Sequence, residues 1–232
     1  MAADANPLHR MPNDDGTWLV WQLADSAFPT GGFAHSWGLE ASWQSGEVPD
    51  AAALQRFVRD GLWQAGRGGL PFVTAAWRAP DRIDELDRIS DVFLTNAVAN
   101  RASRVQGRAF VSTCARIWPI PALVALERHE SRHFGHYAPL VGATFQALEV
   151  PLETAQRLFL FNTARGVLTA AVKLGIVGSY HAQRLQYEAG PVLDEVRARC
   201  GDLEDADVSQ TAPLLDVLQS AHDRLYSRLF QS

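Results

Sequence analysis

Apolar residues recur at helical spacing in every segment between the prolines and glycines, and this periodicity restricts the possible folds of the chain most strongly. Asp50 suits a helix N-cap, and the apolar residues after it fall on one helical face: Leu54, Phe57, Val58 and Leu62. The chain lacks runs of alternating β-branched residues bounded by hairpin turns, which strands require. The sequence therefore predicts an all-α fold, a single compact helical bundle of about ten helices.

Prolines, glycines and the apolar spacing also predict where the helices begin and end. Between Ile83 and Trp118 either one long helix or two abutting helices fit, with Ile83, Leu86, Ile89, Val92, Phe93 and Val98 on one face. The other expected helices are Trp18–Ala24, Phe33–Gly46, a helix after Asp50, Leu70–Arg78, Leu123–Arg132, Ala138–Leu148, Pro151–Leu174, Tyr180–Arg199 with an interruption at Gly190, and Leu214–Phe230.

We expect one helical domain over residues 17–232, because no flexible linker or internal repeat divides the chain. Residues 1–16 are polar and lack the apolar core of a signal peptide, so they are interpreted as a mobile leader. The acidic loop 201–212 precedes the last helix, so residues 202–232 could be only loosely attached to the rest of the domain.

Charge and hydropathy exclude two classes of function. The formal net charge of -5 argues against binding to nucleic acid through phosphate neutralisation. The most apolar window, Leu158–Gly178, contains Asn162, Arg165 and Lys173, and charges near a bilayer centre are costly. This window therefore favours a buried helix over a membrane span, and a cytoplasmic location is expected.

The most distinctive stretch of the sequence is residues 25–40, DSAFPTGGFAHSWGLE. Its proline and paired glycines predict a sharp turn into a helix. If that helix begins at Phe33, then Phe33, Ser36, Trp37 and Glu40 share one stripe, and this mixture of chemical types suits a surface that meets another protein. His35 lies beside the stripe. The alternative is that Glu40 pairs inside the protein with Lys173 or Arg184, because a buried charge must be paired.

Two other kinds of site are weaker candidates. An enzyme could use the corner at Thr30, Gly31 and Gly32 with His35, although adjacent helical residues such as His35 and Ser36 cannot face each other. A metal ion could be held by three histidines at positions i, i+4 and i+7 of one helix: His129, His133 and His136. Gly135 and Pro139 argue that this helix ends before the third histidine.

The segment 152–185 combines small residues with three isolated basic side chains. Its alanines and Gly166 allow neighbouring helices to approach closely. Arg165, Lys173 and Arg184 interrupt an otherwise apolar face and have no obvious acidic partner one turn away. The segment is interpreted as a central core helix whose charged groups reach the surface, or alternatively as a partner-binding surface.

Two separated motifs resemble the UreF family of urease accessory proteins. The run PTGGFAHSWGLE at Pro29–Glu40 is similar to that family's N-terminal signature, and TAAVKLGIVGSYHAQRL at Thr169–Leu185 is similar to its second signature. The stretches Thr95–Phe110 and His136–Pro139 also resemble the family. The resemblance extends over about residues 18–185, and the C-terminal helix is assigned by its position alone.

This resemblance implies a UreF-like, non-catalytic scaffold that assists nickel insertion into apo-urease. It implies binding to a UreD/UreH-type protein and a UreG-type GTPase, a homodimer, no tightly bound cofactor, and nickel handled only transiently. The candidate partner-binding residues are Phe33, His35, Ser36, Glu40, Lys173 and Arg184. The alternatives are a nickel metallochaperone with its own histidine site and a small-molecule enzyme.

Overall fold

The computed structural model describes residues 16–130 and 134–231, and these residues form helices and turns without a strand. The prediction of an all-α bundle of about ten helices is confirmed. The twelve α-helices of the described residues are α1 Thr17–Ala24, α2 Leu39–Gln44, α3 Ala51–Gly68, α4 Leu70–Arg78, α5 Ile83–Phe93, α6 Ala97–Ile117, α7 Pro121–Glu130, α8 Tyr137–Ala147, α9 Leu152–Lys173, α10 Ser179–Glu188, α11 Gly190–Cys200 and α12 Pro213–Ser220.

Local capping explains several of these boundaries. Asp50 accepts a hydrogen bond from the Ala53 amide at 2.8 Å, as its sequence position predicts. The Asn96 side chain accepts from the amides of Val98 and Ala99, so the long segment after Ile83 divides into two helices. Four helices have a proline as their first or second residue, where a missing amide costs little: Pro71, Pro121, Pro191 and Pro213.

Helix α9 runs through the centre of the molecule, and α1, α3, α10 and α11 pack around it. Its buried alanines, among them Ala155, Ala164 and Ala171, allow these close approaches. A second apolar cluster joins α4, α5, α6 and α8 around Phe72, Leu86, Val111 and Leu140. The predicted buried helix is therefore the central element of the core. No helix in residues 16–130 and 134–231 has the length and apolar content needed to cross a membrane.

The structure corrects two predicted helices. The segment from Phe33 is a 3-10 turn at Gly32–Ala34, and the α-helix begins only at Leu39, because Trp37 and Gly38 have φ values of 58° and 82°. The last helix ends at Ser220 and not at Phe230. Beyond it, the amides of Leu229 and Phe230 donate to the Glu40 carboxylate and not to a helical backbone.

Two smaller predictions concern Val92 and the N-terminal leader. Val92, which was expected on the apolar face of α5, is 78% exposed, because it follows the buried Ile83 by nine residues and so lies on the opposite side of the helix. Apart from Gly16, the predicted mobile leader lies outside the described residues. The extent of the single domain stays a prediction.

Candidate partner-binding site

The N-terminal corner, residues 25–40, connects α1 to α2 through a series of tight turns. The Asp25 carboxylate accepts from the Ala27 amide at 2.9 Å and begins the turn that follows α1. Gly31 has a φ of 72°, which costs glycine little. Trp37 has a φ of 58°, which is a rare and strained conformation for a bulky residue. The corner is therefore a fixed arrangement that the surrounding elements must hold in place.

The Trp37 indole joins the corner to α9. A Cβ atom on Gly166 would lie 2.9 Å from Trp37 Nε1, so the absence of a side chain on Gly166 lets the indole rest against the helix. On the opposite side, a Cβ atom on Gly38 would lie 3.0 Å from the Gln219 side chain of α12. The corner is thus enclosed between α9 and the C-terminal part of the chain.

We call residues 210–231 the C-terminal strap, since they cross the corner and bind it through Glu40. Glu40 is 2% exposed and accepts three hydrogen bonds from the strap. They come from the Leu229 amide at 2.6 Å, the Phe230 amide at 3.2 Å and His222 Nε2 at 3.1 Å. His222 is itself fully buried. The predicted internal partner of Glu40 therefore exists, but it is the strap and not Lys173 or Arg184.

Further polar contacts attach the strap along its length. Its Gln231 amide donates to the carbonyl oxygen of Ala34 at 2.8 Å, which adds a backbone bond to the corner. Arg101 of α6 and Asp223 form an ion pair at 2.8 Å. Asn96, the N-cap of α6, donates to the carbonyl oxygen of Asp216 at 2.7 Å. The strap therefore connects the corner, α2 and α6.

A cleft beside the corner brings the two sequence motifs together. Thr30, Gly32, His35 and Trp37 line it from the first motif, and Thr169, Ala170 and Lys173 line it from the second. Phe230 of the strap also lines this cleft, and the Lys173 ammonium group lies 5.3 Å from the centroid of its ring. Motifs that are more than a hundred residues apart in sequence thus form one site, which the strap covers in part.

His35 lies inside this site and is almost fully buried. Burial lowers the pKa of His35 below its ordinary value, and electrostatic interactions with Arg101 and His222 act in the same direction. A neutral imidazole is therefore favoured at neutral pH. This environment fits a structural histidine of the corner.

The other predicted partner-binding residues occupy different positions. Ser36 is fully buried within the corner. The backbone of Phe33 lies in the 3-10 turn, so the expected stripe with Ser36, Trp37 and Glu40 does not form. Arg184 lies on the exposed side of α10, where it pairs with Glu188 at 3.6 Å. The expectation that Arg184 lacks an acidic partner one turn away is therefore wrong, because Glu188 stands four residues later on the same helix.

The three candidate metal ligands do not align on one helix. His129 lies in the last turn of α7, while His136 is the N-cap of α8 and follows the non-helical residues 134–135. His133 lies outside the described residues. Among residues 16–130 and 134–231, no group of three or more histidine, cysteine, aspartate or glutamate side chains could hold a metal ion.

Both ring nitrogens of His136 are used inside the protein. Nε2 lies 3.1 Å from Asp91 Oδ1, and Nδ1 lies 3.2 Å from Ser103 Oγ, which also accepts from the Tyr137 amide. The tautomer that fits this network donates from Nε2 and accepts at Nδ1. Burial lowers the pKa of His136 in spite of the nearby carboxylates, which also favours this neutral form. His136 therefore connects α5, α6 and α8.

Sequence reasoning missed two acidic residues that organise this region. Asp87 is buried and accepts from three consecutive amides, those of Phe134, Gly135 and His136. Burial acts to raise the pKa of Asp91, but the hydrogen bonds from Asn100 and His136 outweigh it, and the pKa lies below its usual value. The sequence offered one signal for them, namely two aspartates four residues apart in a helix with an apolar face.

These features define an all-α protein in which two sequence motifs meet beneath a C-terminal strap. A family model described as UreF matches residues 48–190 of this chain. The protein named "Urease accessory protein F" of Arabidopsis thaliana is 38% identical over 221 residues, covering 93% of this chain and 92% of the relative. The protein of that name from Oryza sativa subsp. indica is 36% identical over 226 residues, covering 94% and 86%. The chain belongs to the UreF family of urease accessory proteins, which confirms the resemblance seen in the sequence.

Proposed function

We propose that this chain is a non-catalytic scaffold for urease maturation. It assists nickel insertion into apo-urease by bridging a UreD/UreH-type accessory protein and a UreG-type GTPase, and it acts in the cytoplasm as a homodimer. Nickel is handled transiently in the assembly and is not a resident cofactor of this chain. Membership of the UreF family supports the part in urease maturation. The outer surface of the C-terminal strap supports the binding role.

That outer surface is the observation on which the proposal mainly depends. Leu214 and Val217, three residues apart on α12, are 63% and 64% exposed. Leu229 is 61% exposed, and Tyr226 projects fully into solvent. Large apolar side chains grouped on one exposed segment are typical of a protein-binding surface. We assign this surface to the UreD/UreH-type partner.

The inner side of the strap explains why its outer side stays available. Glu40, Asn96 and Arg101 bind the polar groups of the strap that face the body of the protein. The apolar side chains at Leu214 and Val217 are not needed for these contacts. A partner can therefore bind the strap while it remains docked on the corner.

A double substitution tests the first surface. We expect Leu214→Ser with Val217→Ser to weaken binding of the UreD/UreH-type protein by about tenfold or more, because buried apolar anchors dominate such interfaces. Titration calorimetry with the purified partner measures this change. Val92→Ser is the matched control, since Val92 is also exposed but lies on α5. Unchanged affinity of the double variant would remove the strap from the proposed interface.

A bridging protein needs a second, separate surface, and α10 provides one. Tyr180 and Tyr187 are 94% and 85% exposed, and the Arg184 side chain lies between them in sequence. Helix α10 packs on α9 and α11, whereas α12 of the strap packs on α2 and α6. Tyrosine and arginine are enriched at protein interfaces. We assign this face, with the predicted partner-binding residue Arg184, to the UreG-type GTPase.

A comparison of the two surfaces tests the bridge itself. We expect Tyr180→Ser with Arg184→Ala to retain the complex with the UreD/UreH-type protein but to lose recruitment of the GTPase. The strap variant should lose the first complex, so each variant is a control for the other. Size-exclusion chromatography of mixtures and urease activation in a reconstituted system are the measurements. Loss of both complexes with either variant would argue against two separate surfaces.

A further inference from the structure

A partly open cavity of about 190 Å³ lies next to the corner and shares His35 and Trp37 with the cleft. Helices α3, α6, α8 and α9 contribute to its walls. Aromatic rings from four elements line it: Phe57, Phe72, Phe93 and Phe159. The first half of the strap, from Gln210 to Gln219, also lines the cavity and covers it.

The size of this cavity sets it apart from ordinary packing defects. Protein interiors are close-packed, and voids larger than a water molecule are few in a domain. An apolar cavity of about 150 Å³ in another protein is large enough to bind benzene. The cavity described here therefore has room for a single aromatic ring with a small substituent.

One polar group on the cavity wall points to a ligand. Ser90 of α5 is 2% exposed and lines the cavity, and its hydroxyl group has no hydrogen-bond partner among residues 16–130 and 134–231. The neighbouring His136 also lines the cavity, but its ring nitrogens are used by Asp91 and Ser103. An unpaired buried hydroxyl group is costly unless a bound molecule satisfies it.

We propose that this cavity binds a small, uncharged, mainly aromatic molecule that carries one hydrogen-bonding group. The phenylalanine rings supply apolar contacts, and the Ser90 hydroxyl binds the polar substituent. A charged ligand is disfavoured, because the walls are mainly apolar and the carboxylate among them, Asp216, already accepts a hydrogen bond from Asn96. The inference goes beyond the scaffold role and does not depend on it.

The strap forms one side of this cavity. Gln64 of α3 accepts from the amides of Thr211 and Ala212 at 2.7 Å and 3.0 Å, and Asn96 donates to Asp216. These contacts hold the strap in place where it crosses α3 and α6. The cavity therefore keeps this wall only while the strap is docked.

Phenol and benzene are the probes that test the proposal on the isolated full-length chain. Both should bind, as measured by ligand-observed NMR titration and by an increase in melting temperature. Phenol should bind about fivefold more tightly, which corresponds to one neutral hydrogen bond. Ser90→Ala should abolish this preference while leaving benzene binding unchanged. Thr144→Val is the matched control, because Thr144 has an equally buried hydroxyl group that finds no partner in the described part of the chain and does not line the cavity.

Filling the cavity gives a second, independent test. Ala102→Leu on α6 and Ala65→Leu on α3 place additional atoms in the cavity from two walls, and either variant that folds should lose binding of both probes. The proposal is overturned if neither probe binds the wild-type chain and water alone occupies the cavity. A phenol preference that persists in Ser90→Ala would also contradict it. Because no partner protein is present, these outcomes are separate from those of the scaffold experiments.

Discussion

At the scale of single residues, Glu40 determines how the corner and the strap are joined. Its carboxylate has two oxygens and receives three donors, with Leu229 at Oε1 and both His222 and Phe230 at Oε2. A buried carboxylate requires such compensation. The sequence indicated that Glu40 needs an internal partner or a protein surface. It gave no signal for His222, because the two residues are 182 positions apart and no spacing rule connects them.

We expect Glu40→Gln to destabilise the protein by about 1–3 kcal/mol, because a glutamine offers one acceptor oxygen and leaves at least one buried donor unpaired. Urea unfolding measures the change, and hydrogen exchange should show faster exchange at the amides of Leu229 and Phe230. Glu47→Gln is the matched control, since Glu47 is exposed on the turn after α2. Unchanged stability together with lost urease activation would instead assign Glu40 to direct contact with a partner.

At the scale of helices, the sequence predicted best where the signals are local. Asp50 begins α3 as a side-chain cap, and the prolines mark helix starts, so those boundaries follow from neighbouring residues. The expected helix from Phe33 is wrong because Trp37 adopts a positive φ that only tertiary contacts, such as its packing on Gly166, can maintain. Of the residues predicted for the site, Glu40 binds the strap, and His35 and Lys173 line the cleft that the strap covers in part. Arg184 was grouped with them on sequence alone and lies elsewhere.

The closest approach between helices gives a prediction at this scale. A Cβ atom on Gly142 of α8 would lie 2.2 Å from the Val73 carbonyl oxygen of α4, and backbone cannot move aside as a flexible side chain can. We expect Gly142→Ala to lower the free energy of unfolding by about 1–3 kcal/mol. Gly61→Ala is the control on α3, where a Cβ atom meets nothing within 4 Å and should stabilise by about 0.4–1 kcal/mol.

Chemical denaturation of both glycine variants checks this contrast. Both variants replace a glycine by alanine inside a helix, so they differ only in what the new methyl group meets on the neighbouring surface. If Gly142→Ala is as stable as the wild-type chain, α4 and α8 do not pack as closely as the structure shows.

At the scale of the whole molecule, the strap connects parts of the chain that are distant in sequence. It binds the corner through Glu40, it lines the cavity beside the corner, and its outer face carries the apolar surface assigned to a partner. The sequence indicated an amphipathic C-terminal helix but not its path, because the path depends on acceptors in α2 and α3 and on the donors Asn96 and Arg101 at α6. How loosely the strap is attached in solution stays a prediction.

We expect truncation after Gly201 to abolish binding of the UreD/UreH-type protein while the remaining helices still fold. The shortened chain should also be less stable, because Glu40 loses its donors and the cavity loses its cover. Circular dichroism, thermal unfolding and a binding titration measure the three effects. The companion control is full-length Glu40→Gln, which should still bind the partner. Wild-type affinity in the truncated chain would show that the partner binds elsewhere.

The contact between Glu40 and the last residues of the strap has a consequence for biosynthesis. A ribosome makes the chain from its amino end, so Glu40 is synthesised 189 residues before Leu229 and 190 residues before Phe230. Until the strap has been made, the nascent chain therefore carries a corner that lacks its three donors. A product terminated before Leu229 would leave the Glu40 site incomplete and the strap without its contact to the corner.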